Sequence, residues 1–137
     1  MGPVSRQFRL PDGRRLGYDD HGPPAGRPVL LFHGTPSSRY DWYLFGSEAL
    51  ARELDIRVIV PDRPGLGLSD YQPGRRICDW SLDVAALADE LGLDRFAVLG
   101  YSGGGPYVMA CALEMPERLT AAGVVSGTGP CRWSGST

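Results

Sequence analysis

The sequence predicts an α/β domain: a mostly parallel sheet flanked by helices. Three observations carry that expectation. Four short runs, residues 29–32, 56–60, 96–99 and 121–125, are rich in apolar side chains and bounded by glycine, proline or charge. Runs that are apolar throughout, rather than alternating, are what strands buried on both faces look like. Helical apolar spacing falls between the runs, and strand–helix alternation calls for parallel strands joined by right-handed crossovers, with helices on both sides.

Each element follows in order. Residues 6–10 and 14–18 flank Pro11-Asp12-Gly13, and an Asp-Gly pair between two short strands marks an antiparallel hairpin. The 29–32 strand follows the Gly/Pro-rich stretch 22–28. Trp42, Phe45, Ala49 and Leu50 then recur at helical spacing ahead of the 56–60 strand. Val84, Leu87, Ala88 and Leu91 fall at i, i+3, i+4 and i+7, with Ser81 or Asp79 as the cap and Gly92 as the stop. The 96–99 strand runs straight into Gly100-Tyr101-Ser102-Gly103-Gly104-Gly105.

The 137 residues suit one domain, and 42% apolar against 22% charged residues supports a buried core. That balance speaks against disorder. No run nears the roughly 20 apolar residues of a membrane helix, and residues 1–16 lack a signal-peptide stretch. A net charge of −2 with no clustered basic face gives no footprint for nucleic acid or an anionic membrane. Every basic residue is arginine, and lysine and asparagine are absent, which reads as GC-rich coding. Cys78, Cys111 and Cys131 are far apart and form no C-x-x-C pair. Neither a zinc site nor a disulfide framework is expected, and reduced thiols in a cytoplasmic protein are. No metal or other cofactor is anticipated.

Chemistry concentrates around Ser102. Gly100-Tyr101-Ser102-Gly103-Gly104 fits G-x-S-x-G between a strand and a helix. A turn that sharp strains the serine backbone, so its neighbours must lack bulk. An ordinary glycine-rich turn would look similar, but a phosphate loop is excluded because no glycine fingerprint fits. Phe32-His33-Gly34-Thr35-Pro36 follows the 29–32 strand, where a turn can aim the Thr35 amide at the serine. Thr35 and Gly103 are thus the candidate oxyanion donors, and losing one such donor typically costs roughly 10²–10³ in rate. Asp62 and Asp70 bracket a tight loop and are expected to organise it with their carboxylates.

These motifs in this order resemble the α/β-hydrolase superfamily across nearly the whole chain. H-G-T-P-S-S-R, D-R-P-G-L-G-L-S-D and G-Y-S-G-G-G-P-Y are similar to the corresponding motifs of small bacterial hydrolases, proline-iminopeptidase-like and esterase members among them. The resemblance implies Ser102 as nucleophile, Thr35 and Gly103 as the oxyanion hole, and His33, Gly34, Gly100, Gly104 and Asp62 as supports of the motifs. It implies strands two through six of an eight-stranded sheet in the order 1-2-4-3-5-6, and a small-molecule acyl substrate. Serine rather than aspartate in the elbow argues against the haloalkane dehalogenase and epoxide hydrolase branches.

The same family pattern places an acid and then a histidine after the nucleophile. Here no histidine follows Ser102, and the only later acids are Glu114 and Glu117. An acid after strand six would fall within 126–130, where none stands. His21 is expected at the wrong edge of the sheet, and His33 in a structural role rather than as a makeshift base. The chain therefore reads as the N-terminal part of a hydrolase ending soon after strand six, with base, acid, cap and last strands lacking. Residues 131–137 do not read as the start of any of them. Strand six would be an open apolar edge, which predicts self-association or a complementing chain. A non-catalytic fragment or pseudoenzyme that acts by binding is the alternative reading.

Overall fold

The computed structural model describes residues 5–129. Its strands are β1 (Arg6–Arg9), β2 (Arg15–His21), β3 (Arg27–Phe32), β4 (Ile56–Pro61), β5 (Phe96–Tyr101) and β6 (Leu119–Val125). They form one sheet in the order β1-β2-β4-β3-β5-β6, antiparallel at β1–β2–β4 and parallel elsewhere. The strand order is the expected one, and all six strands read from the sequence are present, the two of the hairpin included. Pairing extends several strands beyond their apolar runs. β2 continues to His21 because residues 18–21 pair with residues 58–61 of β4. β3 starts at Arg27 because it meets Ile56 there.

The helices are α1 (Asp41–Phe45), α2 (Glu48–Glu53), α3 (Trp80–Glu90) and α4 (Gly105–Glu114). Alternation along each strand divides the core into two layers. Leu30, Phe32, Ile59, Phe96 and Val98 pack with Trp80, Val84, Leu87 and Ala88 of α3 and with Val108 and Cys111 of α4. Leu31, Val58 and Val60 face the other way, against Trp42 of α1 and Ala51 of α2. Helices thus cover both faces, as the crossover rule requires.

Two local expectations change. The helical spacing from Trp42 to Leu50 is broken at Gly46, on which the Trp42 ring lies. Ser47 then caps a separate α2, its side chain accepting from the Leu50 amide at 3.1 Å. The break turns Ala51 inward and leaves Leu50 exposed. The side chain of Phe45 lies outside the described residues. In α3, neither expected cap bonds the helix start. The Asp79 carboxylate accepts from the Arg76 amide at 2.8 Å, and the Ser81 hydroxyl donates to the Cys78 carbonyl at 2.8 Å. Gly92, at φ 70°, ends the helix as its position suggested.

Past β5 the α1/α2 layer thins. Ala97, Leu99 and Tyr101 are only half-buried, and no residue of β6 is fully buried. Val124 and Val125 are 45% and 51% exposed, and β6 pairs with β5 alone among the described residues. An apolar groove of 720 Å³ runs beside it, lined by Ile77, Cys78, Met109, Leu113 and Val124 among others.

Candidate functional site

This strand order brings the C-terminal ends of β3, β4 and β5 together at one edge of the sheet. The turns leaving them carry His33 to Pro36, Asp62 to Asp70, and Ser102 to Gly104. Ser102, the first residue past β5, has φ 50°. Left-handed backbone costs a residue with a Cβ about 1–2 kcal/mol, so surrounding contacts must hold it. The glycines permit those contacts. A Cβ on Gly100 would stand 2.6 Å from the Gly104 oxygen, and one on Gly103 would stand 2.7 Å from Thr35 Cβ. On Gly104 it would overlap the Phe32 carbonyl oxygen and lie 2.9 Å from that of His33. The turn after β5 is therefore seated directly on the turn after β3. α4 begins at Gly105, which sets the positive end of its dipole beside Ser102.

The Thr35 amide nitrogen lies 2.9 Å from where a Gly103 Cβ would stand. Among the described residues it donates no hydrogen bond. Gly34 also faces the serine, since a Cβ there would sit 3.6 Å from Ser102 Cβ.

His33 is buried in this turn, and both its ring nitrogens are engaged. Nε2 accepts from the Arg63 backbone N–H at 3.1 Å, so the proton is on Nδ1, which donates to the Gly34 carbonyl at 2.8 Å. Burial, and then the Arg63 charge, push its pKa down to about 4. No lone pair is left for a serine proton. His21 is at the far edge, bonded through Nδ1 to Glu48 at 3.0 Å and stacked on Trp42. It pairs with Val58, which pairs with Val29, which pairs with Ala97. From there to Ser102 is roughly 16 Å at about 3.3 Å per strand residue. Glu114 and Glu117 precede β6, whose first residue, Leu119, pairs with Phe96, so they too stand at that far edge.

The Asp62 carboxylate accepts from the Arg39 amide at 2.7 Å, from Arg39 Nη1 at 2.9 Å and from the Leu68 amide at 2.8 Å. Asp70 accepts from the Arg15 amide at 2.7 Å, tying the loop to β2. Of the aromatics near the site, Trp42 and Tyr101 line a 220 Å³ pocket with Leu31, His33, Asp41 and Val125. Tyr40 is outside it, 56% exposed, with the Arg39 guanidinium 4.4 Å over its ring.

Two residues that sequence reading passed over belong here. Arg63 is 1% exposed, and no carboxylate among the described residues is within ion-pair distance of it. Its guanidinium donates to the His33 carbonyl, to the Gly34 carbonyl at 3.1 Å and to Thr35 Oγ1 at 2.9 Å, and lies 4.4 Å over the Tyr107 ring. Asp41, also buried, accepts from the Gly34 amide at 2.8 Å and from the Ser37 hydroxyl. The D-R pair was visible in the motif, but nothing local shows a side chain folding back onto a turn 28 residues earlier. No three His, Cys, Asp or Glu side chains cluster to hold a metal ion among the described residues, and no described helix is long and apolar enough to cross a membrane.

A parallel sheet with a serine in a left-handed turn at the end of β5, seated on a His-Gly turn, defines the class of α/β domains with an elbow of this kind. The chain belongs to the alpha/beta hydrolase fold family, whose model matches residues 27–134. It is 36% identical over 126 residues to haloalkane dehalogenase 2 of Mycobacterium tuberculosis, covering 90% of this chain and 41% of that one. It is 38% identical over 126 residues to a non-heme chloroperoxidase of Streptomyces lividans, covering 87% and 43%. Epoxide hydrolase A of Mycobacterium thermoresistibile superposes with a TM-score of 0.79 at 26% identity, covering 90% of this chain and 39% of that one. The chain thus spans about two fifths of these relatives' length. Relatives named as dehalogenase and epoxide hydrolase run against the distance expected from the elbow serine. Similarity over a scaffold sums sheet, loops and core, and one elbow residue adds almost nothing to it.

Proposed function

We propose that this chain carries the nucleophile half of a serine hydrolase site acting on ester or related acyl substrates. Ser102 Oγ attacks the acyl carbon while its proton passes to a base. The Thr35 and Gly103 amides hold the oxyanion until the leaving group departs, and water then releases the acyl group from Oγ. His33, Gly34, Gly100 and Gly104 support the two turns, and Asp62 organises the loop after β4. The observation that carries the reading is the left-handed Ser102 with a Thr35 amide beside Gly103 that donates to nothing among the described residues. The occupied nitrogens of His33 and the distant His21 favour a second reading, a non-catalytic scaffold that acts by binding; in the first reading, base and acid come from outside this chain.

Fluorophosphonate labelling of the chain beside its Ser102→Ala variant separates the two. Labelling that disappears in the variant supports the nucleophile. An unlabelled parent chain supports the scaffold. Residual hydrolysis of an activated ester would discriminate poorly, since oxyanion hole and binding alone retain roughly 10³–10⁴-fold catalysis over water.

The open β6 edge and its apolar groove support a further part of the proposal, cover by a second copy or a complementing chain. Light scattering is then expected to show a mass that rises with concentration, and a constant monomer mass would contradict it. A cytoplasmic setting fits the free thiols of Cys78 and Cys111.

A further inference from the structure

We infer that Arg63 is the positioning residue of the oxyanion hole: its buried guanidinium fixes the carbonyls of the 33–35 turn and thereby aims the Thr35 N–H at the Ser102 side. This rests on the reading of Thr35 as an oxyanion donor, and deepens it.

A trans peptide is planar, and its C=O and N–H point in opposite directions. The Gly34 carbonyl and the Thr35 N–H belong to one such unit. That carbonyl receives two donors, Arg63 Nη2 at 3.1 Å and His33 Nδ1 at 2.8 Å. The Thr35 N–H must then point away from the donors on the Gly34 carbonyl, and the Thr35 nitrogen lies 2.9 Å from where a Gly103 Cβ would stand. The preceding unit is pinned at both ends, its His33 carbonyl by Arg63 Nη1 and its Gly34 N–H by Asp41 Oδ2 at 2.8 Å. A flip of either unit would cost the buried guanidinium, or the buried Asp41 carboxylate, one of its hydrogen bonds.

The clamp is also closed on itself. His33 Nε2 accepts from the Arg63 backbone amide at 3.1 Å while the Arg63 side chain donates to the His33 carbonyl. Each residue holds the other. Burial pushes the Arg63 pKa down to about 10, so it remains charged at neutral pH. With no ion-pair partner among the described residues, the guanidinium spends its hydrogen bonds on the oxyanion turn and its face on Tyr107. Only a planar fork reaches two carbonyls and a hydroxyl at once, so lysine is not its equivalent.

The test is NMR of the ¹⁵N-labelled chain and of Arg63→Met and Arg63→Lys variants. In the parent chain the Thr35 amide is expected to exchange rapidly with solvent and to show contacts to Gly103 protons. A slowly exchanging Thr35 amide would overturn the inference without any variant. In Arg63→Met those contacts are expected to vanish while contacts between Phe32 and Gly100 of the paired strands persist, and Arg63→Lys is expected to restore them only in part. Thr35 contacts to Gly103 unchanged in either folded variant would also overturn it. Fluorophosphonate labelling is read in the same samples, where loss of the clamp is expected to slow labelling about 10²–10³-fold, the cost of one oxyanion donor. A parent chain that does not label would count against the nucleophile reading alone, since the amide's direction is measured independently.

Discussion

Replacing Gly104 with alanine is expected to cost about 3 kcal/mol or more of stability, at the upper end of what overpacking costs. The new Cβ would overlap the Phe32 carbonyl oxygen and approach that of His33 to 2.9 Å. Both obstacles are backbone, so no rotamer change relieves them. Phe32 is held in register against Gly100, so β3 can retreat only by giving up its pairing with β5. Typical domains hold only about 5–15 kcal/mol in all, so the loss would be plain in urea denaturation followed by circular dichroism. Gly34→Ala is the control. Its Cβ would meet Tyr101, Asp41 and Ser102 at 3.5–3.6 Å, ordinary contact distances. It is expected to keep the fold while crowding the serine. A Gly104→Ala chain as stable as its parent would refute the view that the elbow's glycines exist for close backbone approach.

The second large effect concerns acid. His33 titrates at about 4 in the folded chain against 6.5 as its ordinary value, because burial and the Arg63 charge disfavour the imidazolium. Above pH 6.5 both folded and unfolded chains hold it neutral, and its contribution is fully present. Between 6.5 and 4 the unfolded chain binds a proton that the folded chain does not. Stability then falls by about 1.4 kcal/mol per pH unit, to a total of about 3 kcal/mol near pH 4. Asp12 and Asp70, held below the usual carboxylate range by hydrogen bonds centred on Arg14 and Arg15, act below that window in the same sense. Asp83 is raised by burial and acts in the opposite sense, so the comparison must be differential. Urea midpoints measured from pH 7 to pH 4 are expected to fall in the parent chain and to flatten in His33→Gln. Equal slopes would mean that the imidazole is not held neutral by this turn.

These two effects show what was legible from residues alone. Gly100, Gly103 and Gly104 announce a tight strand-to-helix turn around Ser102, a signal an ordinary glycine-rich turn shares until the H-G and D-R-P-G motifs are read beside it. The order of apolar runs gives the parallel sheet and even its strand order once the motifs are matched. The break at Gly46 was not legible, because it depends on where the Trp42 ring comes to rest. The start of α3 escaped for the same kind of reason: the Asp79 carboxylate is spent on the turn before the helix. Arg63 was missed as a site residue because its partners sit on a turn 28–30 residues earlier that only the β3–β4 pairing brings beside it. Asp41 was missed because its bonds to Gly34 and Ser37 depend on how the loop after β3 folds back on itself.

The sequence by itself determined the fold class, the sheet edge at which the chemistry gathers, and the shortage of histidines after Ser102. Each depends on composition or short-range spacing, which a linear string preserves. The tertiary structure alone decided that both nitrogens of His33 are taken, leaving none to offer Ser102, and that a buried arginine holds the turn carrying Thr35. Those facts depend on hydrogen-bond direction, and direction exists only after β3, β4 and β5 have paired.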